Sequence, residues 1–115
     1  MNKEFIPYEQ ALDLEELGFD EPCFAIYCFK ELRIGIFSNL SSAYNTILAP
    51  LYQQAFRWFR EKYQIDSWIY PNLNGLYSVS NIRRGVGLGK VSEYQTYEEA
   101  ELACLIKLIE IVKNK

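Results

Sequence analysis

The sequence has no histidine among its 115 residues. That absence removes Ser-His and Cys-His nucleophilic catalysis, imidazole general-base chemistry and nearly every common zinc site. Cysteine is scarce and odd in number: Cys23, Cys28 and Cys104, with no Cys-x-x-Cys spacing. Cys23 and Cys28 are five apart, so in a strand they point to opposite faces and do not bridge easily. Three thiols among apolar residues fit a reducing compartment. No stretch approaches the roughly 18–20 apolar residues of a membrane span, and the opening MNKEFIPYEQ lacks the apolar run of a signal peptide. The expectation is a soluble, cytoplasmic protein with no membrane partner. Six glycines and four prolines are too few for a disordered or fibrous chain. A chain of 115 residues leaves room for one domain, 1–115, and a second would be too small to fold alone.

Apolar residues make up 50% of the chain and aromatics 16%, with nine Tyr and seven Phe, so core material is ample. Net charge is −3, too mild to select a partner class, but its distribution is uneven. Residues 1–31 carry eight acids against Lys3 and Lys30, and residues 32–90 carry seven bases against Glu61 and Asp66. Residues 91–115 return to five acids against three bases. The basic middle forms a patch only if the fold gathers it.

From Pro7, YEQALDLEELG reads as a short helix, with Pro in the first turn and Gly18 where a left-handed cap belongs. Phe19 is expected to fold back on Leu14 or Leu17. CFAIYCF and LRIGIF read as a hairpin whose turn around Lys30-Glu31 is wider than two residues, because that pair is not favoured in a tight turn. SNLSSAYNTILA reads as a loop. Pro50 opens the clearest amphipathic helix, LYQQAFRWFREKY. DSWIYP and LYSVSNI form a second hairpin about Asn74-Gly75, and RRGVGLGK follows as a glycine-rich loop. Thr96-Tyr97-Glu98-Glu99 is a capping box that opens a helix to about Lys113. The expected fold is α+β, α-ββα-ββα. It comprises a short N-terminal helix and a four-stranded antiparallel sheet from two β-hairpins, covered by two amphipathic helices.

Candidate sites are few. Arg83, Arg84 and Lys90 surround three glycines, and with Arg57 and Arg60 of the middle helix they would make an anion or nucleic-acid site. The loop is not a P-loop, since its glycines are one residue too close and Val91 stands where Ser or Thr should hold magnesium. Trp68 and Tyr70 share one strand face and, if exposed, form an aromatic stacking platform; buried, they are core. Leu105, Leu108, Ile109 and Val112 belong to an apolar arc wider than an ordinary helix stripe; either the helix is wedged between two layers or part of it meets another chain, and a homodimer face is the expectation, with Ile106 outside the arc. No spacing indicates a catalytic carboxylate pair, a metal site or a cofactor motif. The protein is therefore expected not to be an enzyme.

Three segments, YEQALDLEELGFDEPCF, APLYQQAFRWFREKY and TYEEAELACLIKLIEIVK, resemble a family of small uncharacterised proteins encoded by Bacteroidetes phages and prophages. The resemblance covers about two fifths of the chain. It implies a phage setting inside a host cell, and no catalytic or binding residue carries over. An accessory protein that binds and modulates a host macromolecule, in the manner of counter-defence, is the leading expectation. The alternatives are capture of a nucleotide or other small anionic ligand, and nucleic-acid binding through the basic middle. The pI of about 5.0 weighs against the last.

Overall fold

The computed structural model describes residues 2–37, 46–83, 86–88 and 91–114. Contacts divide the chain into two compact units, Met1–Gln54 and Ala55–Lys115.

The first unit opens with a 3-10 turn, Asn2–Glu4, and helix α1, Tyr8–Glu16. Pro7 precedes α1 with φ −67° and ψ 161°, an extended entry that its ring favours. The helix ends in a Schellman motif: the Phe19 amide donates to the Leu14 carbonyl at 2.9 Å and the Gly18 amide to Glu15 at 3.0 Å. Gly18 holds φ 97°, and Leu14 and Phe19 are both buried, as the spacing suggested. Strands β1 (Cys23–Cys28) and β2 (Glu31–Phe37) then form the first hairpin, with a bulge at Cys23/Ala25.

The hairpin's turn is the tight one that the sequence argued against. Cys28 pairs with Glu31, which leaves only Phe29 and Lys30, at φ 51° and 69°. Two left-handed residues in a two-residue loop match the right-handed twist of the strands, a demand that Asn-Gly normally meets. Here the strand pairing imposes the turn on residues that resist it.

A further strand, β3 (Thr46–Leu48), pairs antiparallel with β1, giving the order β2-β1-β3. It falls at the end of a stretch read as loop; residues 38–45 of that stretch lie outside the described residues. Helix α1 packs on β3. The Tyr27 hydroxyl donates to the Ile6 carbonyl at 2.7 Å, and its ring meets Tyr8 edge-on at 5.5 Å. These contacts fix the entry to α1 against the central strand.

Helix α2, Tyr52–Tyr63, holds the division between the units, at Gln54 and Ala55. Its face is as its periodicity indicates: Tyr52, Ala55, Phe56, Trp58 and Phe59 are buried, while Gln53, Arg57, Arg60 and Glu61 are exposed. Gln64 closes the helix in the left-handed region, φ 58°, its amide donating to the Arg60 carbonyl at 3.1 Å.

In the second unit β4 (Ile65–Pro71) and β5 (Tyr77–Arg83) pair in unbroken register. Asn72 builds their connection. Its Oδ1 accepts from the Asn74 and Leu76 amides at 2.9 and 3.1 Å, and its Nδ2 donates to Ser78 Oγ and Glu93 Oε2. Gly75, at φ 79°, supplies the left-handed residue without cost. The free edge of β5 takes two short strands, β6 (Val86–Gly87) and β7 (Ser92–Tyr94). Helix α3 (Tyr97–Lys113) starts from the expected capping box, with the Glu99 amide donating to Thr96 Oγ1 and the Thr96 amide to Glu99 Oε1, both at 3.1 Å. It packs on β4, β5 and β7.

The α+β class, the three helices and both hairpins are those expected, and a four-stranded antiparallel sheet is present. Its strands, however, are β4 to β7, and the first hairpin lies in a separate three-stranded sheet. β3 takes the second edge of β1, and β6 and β7 take that of β5, so each hairpin completes a sheet with short strands of its own unit.

Candidate functional site

Antiparallel register assigns the faces of the second sheet. Ser67 pairs with Asn81 and Ile69 with Val79, so these residues share one face with Ile65 and Tyr77. A buried contact shows that this face meets α3: the Cys104 thiol donates to Asn81 Oδ1 at 3.5 Å, beside the Ser67 hydroxyl, which donates to the same oxygen at 3.1 Å. Asp66, Trp68, Tyr70, Ser78, Ser80 and Ile82 therefore share the opposite face. Glu93 joins them through its pairing with Ser78.

Trp68 stands at the middle of β4 on that outer face and is 59% exposed. Its ring lies 4.6 Å from Tyr70, centroid to centroid, with the planes tilted by 42°. The structure thus brings together the two residues of the aromatic platform and leaves the larger one in solvent. Leu73, at the tip of the same hairpin, is fully exposed. Ser80 pairs with Trp68 and is half-buried, whereas Ser78, which pairs with Tyr70, is buried with its hydroxyl held by Asn72. Asp66 and Glu93 put carboxylates on the same face.

The basic residues are placed differently. Arg57 and Arg60 are exposed on α2. Arg83 ends β5 with its Nε and Nη2 closed to solvent and without hydrogen-bond partners among the described residues. A guanidinium so enclosed does not present an open fork to an incoming phosphate. Arg84 and Lys90, the other cations of the glycine-rich loop, lie outside the described residues.

The arc read as a homodimer face is the inner face of α3. Leu105 and Leu108 are 0% exposed, and Ile109 and Val112 are also buried within the chain. Their apolar surface is spent on this unit's own packing and is not offered to a second copy. A helix packed on three strands needs a wider apolar arc than one lying on a flat surface. Ile106, outside the arc, is the residue that remains exposed.

Cys23 and Cys104 are free thiols enclosed by the fold. Burial pushes the Cys23 thiol up to about 12, the Glu21 carboxylate adds to the rise, and a hydrogen bond with Gln54 opposes it. Burial pushes Cys104 up to about 11, opposed by a hydrogen bond with Ser67 and assisted by Glu101. Both stay protonated at neutral pH, where the thiolate is the reactive form. Among the described residues no group of three or more Cys, Asp or Glu side chains is placed to hold a metal ion. No described helix is long and apolar enough to cross a membrane.

No protein-family model, curated protein or solved structure matches the chain.

Proposed function

We propose that the protein acts by binding and not by turnover. Its contact surface would be the outer face of the second sheet, and its target a host protein that presents apolar side chains ringed by basic ones. The observation that carries this reading is Trp68, exposed at the centre of a strand beside Tyr70. A tryptophan left in water forgoes about 2–3 kcal/mol of burial, and such residues dominate binding energy when a partner covers them. The surrounding chemistry fits a protein. Trp and Tyr supply rigid area with few torsions, and the half-buried Ser80 adds adaptable hydrogen bonding beside them. Asp66 and Glu93 on the same face favour a basic partner and oppose a phosphate backbone, which sets the nucleic-acid reading behind. A phage or prophage setting, suggested by the sequence resemblance, is consistent with a small binder of host proteins.

The test compares quantitative affinity purifications from host lysate with wild-type protein, Trp68→Ser, and Val86→Ser as a control at another exposed apolar site. A basic host protein enriched by wild type and Val86→Ser but lost with Trp68→Ser supports the reading. An identical set of partners for all three, or a catalytic turnover by the purified protein, overturns it.

A further inference from the structure

The second unit holds a cleft of about 570 Å³ on the side of its sheet that faces α3. Its position follows from the split edge of β5. β7 pairs with Tyr77–Val79 and β6 with Ile82–Arg83. Between them the Asn81 carbonyl takes a single bond, from the Leu88 amide at 2.8 Å. Val79 and Asn81 line the strand side of the cleft. The opposite wall is α3, through Ala103, Ile106, Lys107 and Glu110. Those four recur at three- and four-residue spacing, a second stripe beside the buried one. The cleft explains why Ile106 stands outside the core arc yet is apolar.

Asn81 is the unusual residue. It is 4% exposed, and its Oδ1 is occupied by two donors, the Ser67 hydroxyl and the Cys104 thiol. A thiol donates far better than it accepts, so this pair fixes the amide orientation and turns Nδ2 the other way. Nδ2 has no hydrogen bond among the described residues and is not enclosed like the Arg83 nitrogens, so its remaining exposure is to the cleft. A buried amide donor without a partner is costly unless something accepts from it. Lys107 on the facing helix forms no ion pair among the described residues and is the one cation among the described lining residues. Val79 and Leu88 on one side and Ile106 on the other supply the apolar part of the walls, with Ser92 and Tyr94 beside them.

We propose that this cleft binds a small organic monocarboxylate with an apolar body, its oxygens taken by Asn81 Nδ2 and the Lys107 ammonium. Its volume is in the range of small-ligand sites, where a few placed polar groups orient a mostly apolar molecule. Glu110, one turn beyond Lys107, discriminates by charge: a second carboxylate or a phosphate dianion meets repulsion there. The site is distinct from the outer sheet face and stands independently of the partner proposed for it.

Benzoate titrated into ¹⁵N-labelled protein tests the assignment. The expected result is displacement of the Asn81 side-chain amide pair together with the backbone amides of Val79, Ser92, Ala103 and Lys107. Benzamide, neutral and of the same shape, is expected to bind about tenfold more weakly, and phthalate, a dianion, weaker than benzoate. Lys107→Gln, at an exposed position, should remove the preference for benzoate over benzamide, and Ala103→Phe should fill the cleft and abolish both. Trp68→Ser should leave benzoate binding unchanged. An unmoved Asn81 side chain at about 10 mM benzoate overturns the proposal. So does equal binding of benzoate and benzamide, or an undiminished preference for benzoate in Lys107→Gln.

Discussion

The two hairpins solve one problem by opposite means. In the second, local chemistry dictates the turn: Asn72 accepts two amides and donates twice, and Gly75 takes the left-handed conformation. In the first, Phe29 and Lys30 both adopt positive φ with no glycine or asparagine to ease them. There the pairing of Cys28 with Glu31 and the anchoring of Tyr27 on Ile6 hold the strands, and the turn follows. One hairpin is built outward from its turn and the other inward from its strands. A turn sequence therefore reports on hairpin geometry only where long-range packing does not overrule it.

The largest expected effect removes packing from the second unit. Leu105→Ala should cost about 3 kcal/mol in urea unfolding, the range for a fully buried leucine, whereas Ile34→Ala on the exposed part of β2 should cost under ~0.5 kcal/mol. Were Leu105 a dimer contact, the substitution would change mass in solution and leave monomer stability nearly intact. Asn72→Ala comes next, at about 2 kcal/mol, because two amides lose their acceptor and β7 loses its tie through Glu93. Amide exchange at Leu76 and Glu93 should quicken in that variant. The first hairpin should respond the other way. Phe29→Asn combined with Lys30→Gly relieves two strained residues and should raise the unfolding free energy by about 1 kcal/mol.

The smallest effect is electrostatic. Burial and the neighbouring Glu98 raise the Glu101 carboxyl from 4.5 to about 7. Between those values the folded chain holds this proton more tightly than the unfolded chain does. The contribution is therefore full below pH 4.5, declines as pH rises towards 7 and is flat above. Because the group is partly exposed and screened, under ~1 kcal/mol is expected. Comparison of Glu101→Gln with wild type at pH 5 and pH 8 isolates it: the substitution should stabilise at pH 8 and be nearly neutral at pH 5.

Much of the fold was legible, and the failures have physical reasons. The capping box at Thr96 and the cap at Gly18 are local signals, and both stand as read. β3, β6 and β7 are two or three residues long, too short for any period to register. They nonetheless complete the two sheets, β3 on β1 and β6 and β7 on β5. The site was legible only as a pair. Spacing put Trp68 and Tyr70 on one face, but an exposed strand and a buried one share the same alternation. The isolated polar residue on the Tyr77–Val79–Asn81 face was a usable signal for the cleft. The role of Asn81 depends on Ser67 and Cys104, which are brought to it across 14 and 23 residues.

Burial has also left each unit with a silent reporter. Cys23 lies in the first unit and Cys104 in the second, both enclosed and both protonated at neutral pH. Neither can react with an alkylating reagent until its surroundings open, so each labelling rate is a clock on local unfolding. Read by mass, the two clocks give separate opening free energies for the halves of one unmodified chain. Equal rates across denaturant would describe a chain that opens as a single cooperative block. Unequal rates would identify which half yields first.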